Sequence, residues 1–224
     1  MNTPLPERLR LGTRELHAQT ERTGLMAELL SGRVNPDGYC ALLRNLHALY
    51  DALETALRQC AAVPAVTAVN LPVLHRAPAL ASDLDALHGG DWRSALPLQD
   101  AAHVYVQRLQ RLADGASPAL VAHVYVRYLG DLHGGQVLKR LVARGLGLSD
   151  DVGLHFYDHG TVDAVLARRT TLRSALASLP VNAAQAEAIV HEACWAFAQH
   201  RLLFEQLHAA HPAPTLPPAP AATA

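Results

Sequence analysis

The stretch YVRYLGDLHGGQVL, which runs from Tyr125 to Leu138, decides how this chain folds. Helix signals surround it. Ser117 and Pro118 form a cap followed by a first-turn proline, and Gly145 is predicted to end the helix. Three glycines nevertheless fall within six residues near its centre. Each costs roughly 1 kcal/mol relative to alanine inside a helix, so we expect the missing side chains to permit a close contact.

The glycines share one side of the predicted helix. At about 100° per residue, Gly130, Asp131, Gly134 and Gly135 spread over roughly 140° of its circumference, whereas Leu129 and Leu132 lie on the other side. This face is bare backbone with one carboxylate. It suits either a flat, bulky ligand with a reactive centre near Asp131 or close packing against a second helix. The carboxylate argues mildly against helix packing, because burying it unpaired is costly.

The composition indicates one soluble domain that is rich in helix. The chain has 224 residues, of which 50% are hydrophobic and 17% charged, enough for a full core. A net charge of −1 gives no electrostatic case for binding nucleic acid. No apolar run is long enough to span a membrane, and the N-terminus lacks the apolar core of a signal peptide. With three scattered cysteines, these features predict a cytoplasmic protein without a membrane anchor.

Hydrophobic periodicity predicts an all-α bundle of about seven to nine helices and no strands. Asn35 and Pro36 are predicted to start one long helix, and Asn182 with Gln185 a capping box that starts the last one. The chain around Gly24 is expected to be flexible and not helical. Residues 64–78 are expected to be irregular and residues 145–160 to form a loop, and the other helices are predicted at 4–20, 80–87, 98–113 and 163–179.

The two ends of the chain differ in character. Residues 1–210 are predicted to form a single helical domain. Residues 211–224 are predicted to be a disordered tail rich in proline and alanine, because five prolines occur within nine residues from Pro212 onward.

Two groups of polar residues align on helix faces. Arg10, His17 and Glu21 are spaced by seven and four residues on the first predicted helix, and Arg169 and Arg173 are one turn apart on a later one. Spacing alone does not give them a function. The chain has 13 histidines, most of which we expect to be ordinary surface or core residues, and paired arginines can simply form a solvated helix face.

The stretch Tyr125–Leu138 resembles the distal-helix signature of the haem oxygenases almost residue for residue. The resemblance extends over roughly residues 5–207 and includes Leu16–Glu21, Asn45–Tyr50 and Ala196–Glu205. It implies a single-domain, haem oxygenase-like bundle in which haem lies between a proximal helix and a kinked distal helix. It also implies an enzyme that uses O2 and supplied electrons to cleave haem to biliverdin, carbon monoxide and ferrous iron.

The same resemblance implies roles for individual residues. His17 matches the proximal ligand of the haem iron, and Glu21 matches the acid that orients it. Asp131 matches the distal acid that organises water near iron-bound oxygen, with Tyr50 and Arg127 in the same polar network. The other implied haem-binding residues are Gly130, Gly134 and Gly135, whose backbone lies against haem, and Arg10, Tyr125, Arg169 and Arg173 near its propionates.

Elementary chemistry agrees with these roles. A neutral imidazole is a sound haem ligand when its second ring nitrogen has a partner, and arginine binds carboxylates through paired N–H groups. Haem b is then both substrate and cofactor, with its iron, and O2 is the co-substrate. Because the chain has no flavin or nicotinamide motif, we expect an electron-donor protein, either a ferredoxin or a flavoprotein reductase.

Two residues depart from the family pattern, and two other functions stay open. His133 and His200 stand where smaller residues are common. His133 can be a surface residue, a tuning group or a second basic site, and His200 can affect which meso edge of haem is attacked. A non-catalytic haem carrier or sensor is disfavoured because it needs no acid at Asp131. A thiaminase-like all-α enzyme is disfavoured by the pairing of His17 with the glycines.

Overall fold

The computed structural model describes residues 3–33, 35–149 and 152–212, which contain helices and turns but no strand. The predicted all-α class is confirmed. Eleven α-helices occur in this part of the chain, more than the number expected from the sequence. They are α1 (Leu5–Glu21), α2 (Gly24–Leu30), α3 (Pro36–Gln59), α4 (Pro64–Val69), α5 (Ala77–Leu87), α6 (Trp92–Ala95), α7 (Asp100–Asp114), α8 (Leu120–Val124), α9 (Gly130–Leu146), α10 (Val162–Ala177) and α11 (Ala183–Ala210).

The helix that contains the glycines is interrupted. A π-helical turn, Tyr125–Leu129, joins α8 to α9, so the three segments form one continuous but irregular helix. The family resemblance implies a kinked distal helix. The structure places the irregularity just before Gly130, and the glycines lie in regular α-helix.

Both strong helix-start signals are confirmed. The Asn35 side chain accepts a hydrogen bond from the Gly38 amide at 2.7 Å. Asn182 and Gln185 form the expected capping box, in which each side chain accepts a hydrogen bond from the other's backbone amide at 2.9 Å. These caps fix where α3 and α11, the two longest helices of the described chain, begin.

Several predicted boundaries are wrong. Gly24 starts the short helix α2 instead of loosening the chain. The segment expected to be irregular contains α4, the 3₁₀ turn Pro72–Leu74 and the start of α5. The predicted loop contains a second 3₁₀ turn, His155–Tyr157. Helix α9 passes through Gly145 and ends at Gly147, whose φ of 66° satisfies the left-handed cap, and α8 begins only at Leu120.

The core is organised around α3 and α11. Helix α3 packs against α5 and α7, and α11 packs against α1, α2, α7 and α8. Trp92 fills part of the core, with only 1% of its surface exposed. The long helices hold α1 on one side of a central space and the helix of α8 and α9 on the other.

None of the described helices combines the length and apolarity that crossing a bilayer requires. The predicted tail lies outside the described residues from position 213 onward.

Candidate functional site

A cavity of about 1000 Å³ lies between α1 and α9. Helices α2, α3, α10 and α11 and the turn around Tyr157 complete its walls. Its lining is mainly apolar, with leucines from α2 and α3 and two phenylalanines from α11, Phe197 and Phe204. Polar side chains are gathered at three places: on α1, on the helix opposite it, and at the rim.

His17 projects from α1 into this cavity. Its Nδ1 lies 3.7 Å from Glu21 Oε2, one helical turn further on. The edge of its ring meets Phe197, with ring centroids 5.6 Å apart and planes at 71°. No described residue forms a hydrogen bond with its Nε2, and 53% of the side chain is exposed. The ring is thus held by Glu21 and Phe197 on one side and has a free nitrogen for a ligand on the other.

The glycines of α9 face the same cavity. A Cβ atom placed on Gly130 or Gly134 would have no protein atom within 4 Å, and one on Gly135 would only touch Tyr157 Cδ1 at 3.9 Å. The missing side chains therefore leave open space, and no second helix packs there. The close helix contact occurs instead at Gly145, where a Cβ would lie 2.9 Å from the Gly32 carbonyl oxygen. Of the two explanations left open by the sequence, the structure supports a ligand for the glycine face.

Asp131 is held by two side chains behind the glycine face. The Tyr50 hydroxyl donates a short hydrogen bond to its Oδ2. Arg127 Nη2 donates to Oδ1 at 3.2 Å, and Arg127 Nε donates to the Tyr50 oxygen at 3.0 Å. The three groups form a closed triangle, so the carboxylate cannot rotate without breaking a charge-assisted hydrogen bond.

Burial controls the ionisation of this triangle. Desolvation raises the pKa of Asp131 above its usual range, although Arg127 and the Tyr50 hydrogen bond oppose the shift. Desolvation also raises the pKa of Tyr50, which stays protonated and keeps donating. For Arg127, burial alone would lower the pKa, but Tyr50 and Asp131 hold it above the usual value. The result is a fixed guanidinium beside a carboxyl that takes up a proton more readily than an exposed aspartate.

His200 supports the triangle from α11. Its Nδ1 donates to the Ala196 carbonyl at 2.8 Å, which leaves Nε2 as the acceptor for Arg127 Nη1 at 3.2 Å. The side chain is buried, and its ring also meets Tyr105 edge-on at 5.0 Å. Desolvation and the Arg127 charge lower the pKa of His200 to about 3, so the ring is neutral near pH 7. His200 therefore orients Arg127 and does not compete with it.

Basic side chains lie at the rim. Arg10, Arg14 and Arg173 line the cavity, and Arg10 is paired with Glu7, with Nη2 and Oε1 2.6 Å apart. Arg169 does not line it, although its Nε is buried without a hydrogen-bond partner among the described residues. The rim thus offers three guanidinium groups to an anionic ligand.

Tyr125 and His133 occupy the edges of the distal wall. The Tyr125 hydroxyl lies 3.4 Å from Thr13 Oγ1, which connects the π-helical turn to α1 across the cavity. His133 is exposed at the rim, and its Nδ1 donates to the Leu129 carbonyl of its own helix at 2.7 Å. Its Nε2 is therefore the acceptor nitrogen, next to the cavity.

Sequence reasoning missed two members of the site. Arg14 lies three residues before His17 and four after Arg10, so helical spacing alone places it on the same face. Thr13 had no such signal, because its role depends on the distant Tyr125. The role of His200 likewise depends on its packing against Arg127, a contact between residues 73 positions apart.

Comparison with known proteins agrees with this geometry. The family model for heme oxygenase matches residues 3–206. The chain is 36% identical to heme oxygenase 1 of the cyanobacterium Synechocystis over 92% of this chain and 86% of that protein. Human heme oxygenase 1 is 35% identical over 92% of this chain and 73% of its own length.

Solved structures show the same architecture. The crystal structure of Synechocystis heme oxygenase-1 in complex with heme has a TM-score of 0.87 and covers 93% of this chain and 94% of its own, at 36% identity. That of Synechocystis heme oxygenase-2 in complex with heme and NO has a TM-score of 0.89 and covers 93% and 86%, at 36% identity.

The chain belongs to the haem oxygenase family. The predicted family, fold and enzyme class are thereby confirmed for this haem oxygenase, and a catalytic function is supported over that of a carrier or sensor. The thiaminase-like alternative has no support. The family resemblance implies that α1 corresponds to the proximal helix of the family and the helix of α8 and α9 to the distal helix.

Proposed function

We propose that this haem oxygenase uses O2 and supplied electrons to cleave haem to biliverdin, carbon monoxide and ferrous iron. One observation carries the proposal. His17 on the proximal helix and the bare glycine face of the distal helix, with Asp131 beside it, line one cavity. His17 would supply a ligand to the metal of a flat macrocycle, and the glycine face would leave room for the macrocycle.

The residues present fit haem. The cavity of about 1000 Å³ is lined largely by apolar side chains that suit a porphyrin, and its rim carries Arg10, Arg14 and Arg173 for two propionates. A Cβ on Gly130 or Gly134 would take up part of the open space in this cavity. Arg169 lies one turn before Arg173, outside the cavity lining, and its propionate contact stays a prediction.

Haem itself supplies the iron at which oxygen is activated and the meso carbon that is oxidised. His17 binds that iron through Nε2 in our proposal. Glu21 helps to orient the ring, because its carboxylate lies nearest to Nδ1. A neutral imidazole donates less electron density to iron than a thiolate does.

Asp131 is the proposed proton-handling group. Both of its oxygens accept hydrogen bonds from the protein, yet the side chain still lines the cavity, so a water there can be held by its remaining lone pairs. Its raised pKa favours taking up and releasing a proton near the reacting oxygen. Tyr50 and Arg127 hold the Asp131 carboxyl in one orientation for this proton transfer, and His200 holds the Arg127 side chain in place.

Electrons must reach the haem from outside the chain. We propose a ferredoxin or a flavoprotein reductase as donor, because the sequence carries no motif for flavin or nicotinamide.

The test is a spectroscopic titration followed by turnover. Hemin added to the purified protein should give a Soret band that saturates at one equivalent. Ascorbate, or ferredoxin with its reductase, under air should then replace that band with biliverdin absorbance. A protein that gives no Soret band has no such haem site, and a stable Soret band under reductant would leave binding without catalysis.

A further inference from the structure

A second cavity lies on the other side of α3. It has a volume of about 440 Å³ and is formed by α3, α6 and α7, with the chain between α6 and α7. Helix α3 divides its side chains between the two cavities. Leu42 and Leu46 line the haem cavity, whereas Arg44, His47 and Asp51 line the second one. The haem reaction described above makes no use of this second group.

Two guanidinium groups of the second cavity lie beside the ring of Trp92. Arg93 Cζ lies 3.9 Å from the centre of the Trp92 ring, and Arg44 Cζ lies 5.6 Å from it. Neither guanidinium makes a hydrogen bond or an ion pair with any residue in the described part of the chain, and the Nε of Arg44 is fully buried.

The Trp92 ring attracts both guanidinium groups, but it does not supply an acceptor for the buried Nε of Arg44. A buried guanidinium N–H with no acceptor loses its hydration without compensation, and two like charges beside one ring repel each other. Desolvation, assisted by the Arg93 charge, lowers the pKa of Arg44 below its usual value. Burial likewise lowers the pKa of His47, so its ring stays neutral near pH 7. Asp51 is the only carboxylate among the residues that line the cavity, against two guanidinium groups. A hydrogen bond from Ser94, together with the Arg93 charge, also lowers the pKa of the exposed Asp91 beside it.

The rest of the cavity offers room for an organic group. Ala52, Ala56, Leu98 and Val106 form an apolar wall, and amide groups from α3 and α7 lie beside it. The Trp92 ring is fixed by His47, edge-on at 5.0 Å, and by a hydrogen bond from its Nε1 to Asp85 at 2.6 Å. The floor beneath the two guanidinium groups is therefore rigid.

We propose that this second cavity binds a small organic anion, a carboxylate or phosphate monoester, whose oxyanion is held by Arg44 and Arg93. The fork of a guanidinium matches both head groups. The apolar wall takes the body of the ligand. The site is separate from the haem cavity and does not depend on haem chemistry.

Calorimetry on the haem-loaded protein tests the site directly, because haem occupies the main cavity and its basic rim. The probes are benzoate and phenyl phosphate, which carry an anionic group on an apolar ring, and inorganic phosphate, which has the anionic group alone. Benzyl alcohol has the body without the charge. At constant ionic strength, we expect saturable binding of the two organic anions, weaker binding of phosphate and none of the alcohol.

Three variants locate the binding. Arg44→Gln and Arg93→Gln should each weaken binding of phenyl phosphate about tenfold or more, because each removes a charge-assisted hydrogen bond. Arg140→Gln removes the same charge from an exposed position on α9 and should leave the affinity unchanged. Haem binding should be the same in all three, and Arg93→Gln alters an exposed residue, so it remains informative if Arg44→Gln folds poorly.

A second readout uses the fluorescence of Trp92. The chain has two tryptophans, so a Trp195→Phe background leaves Trp92 as the only one in the haem-free protein. Phenyl phosphate should change its emission with the same affinity as calorimetry gives. Failure of all three anions to bind saturably would overturn the proposal. Equal weakening in Arg140→Gln would overturn it too, since binding would then reflect overall charge.

Discussion

His17 and Asp131 divide the chemistry of the haem cavity between them. His17 has one nitrogen near Glu21 and the other free, whereas both oxygens of Asp131 are already bonded to Arg127 and Tyr50. The first residue is built to accept a metal and the second to keep its position. Substitutions at the two sites should therefore fail in different ways.

We expect His17→Ala to lose haem turnover because the proposed ligand of the iron is removed. Added imidazole, which can enter the space vacated by the side chain, should restore part of the activity and shift the Soret band back. Glu21→Gln keeps the ligand and should retain more activity. Full turnover by His17→Ala without imidazole would show that another residue binds the iron.

Asp131→Ala should bind haem as tightly as the unaltered chain but make biliverdin about a hundredfold more slowly or not at all. The cause is loss of the group that holds the proton near the reacting oxygen. Single-turnover spectra with a fixed amount of reductant measure this. Tyr50→Phe removes one hydrogen bond to Asp131 and should show a smaller loss. Normal biliverdin yield from Asp131→Ala would refute the assigned role.

His200 gives a pH signature in stability. Its pKa is about 3 in the fold, below the value near 6.5 of an unfolded chain, so the unfolded state binds the proton first as pH falls. The contribution of His200 to the free energy of unfolding is therefore fully present above pH 6.5 and is lost as the pH falls from there toward 3. His200→Asn cannot take up this proton. Between pH 6 and 4 the unfolding free energy of His200→Asn should fall less steeply than that of the unaltered protein, with slopes that differ by up to ~1.4 kcal/mol per pH unit. Denaturant titrations at several pH values measure the unfolding free energy of both proteins. If the two free energies changed equally with pH over this range, the pKa shift would be contradicted.

At the scale of the helix, the glycines of α9 lower helix stability and leave open volume in the cavity. Nothing lies within 4 Å of a Cβ on Gly130 or Gly134, so Gly134→Ala should raise the stability of the haem-free protein by about 1 kcal/mol. The same methyl group enters the haem cavity and should weaken haem binding or turnover roughly tenfold. Thermal melts and a hemin titration measure the two effects separately.

Gly145→Ala is the matched control on the same helix. Its Cβ would lie 2.9 Å from the Gly32 carbonyl, so it should lower stability and leave haem binding alone. If Gly134→Ala lowered stability in the same way, the glycine face would be a packing surface after all.

The elements that the sequence predicted well are those with local signals. Asn35 with Pro36 and Asn182 with Gln185 carry their caps within four residues, and both helices start where expected. The sequence does not predict the short helix α4, because proline usually interrupts a helix. Pro64 stands at the start of α4, where its missing N–H costs nothing. The first residue of α2 has to be glycine because a Cβ on Gly24 would clash with the Phe204 carbonyl oxygen, a long-range contact that local sequence does not reveal.

For the molecule as a whole, the sequence could name the site residues but not all their contacts. His17, Asp131 and the glycines line one cavity as the family resemblance implied. Arg169, by the same resemblance a propionate contact, lies outside the cavity lining, and the link from His200 to Arg127 was not anticipated. Both depend on how α10 and α11 pack, which helical periodicity does not determine.

Filling the main cavity should stabilise the whole fold, because six helices contribute to its walls. A ligand present at a hundred times its dissociation constant adds about 2.7 kcal/mol. We expect haem to raise the melting temperature more than iron-free protoporphyrin, which fits the cavity but cannot bond to His17. In His17→Ala the two should stabilise equally. A larger effect of haem that persists in this variant would place the iron ligand elsewhere.

The π-helical turn Tyr125–Leu129 sets a rotational register. It accommodates one residue more than an α-helical turn would, and each residue turns the chain that follows by about 100°. Deleting one residue there would rotate Gly130 and Gly134 away from the haem cavity or pull Tyr125 from Thr13, even with Arg127 and Asp131 retained. The length of this turn is thus under tighter constraint than its composition, and single-residue deletions in it should be more damaging than conservative substitutions at Val126.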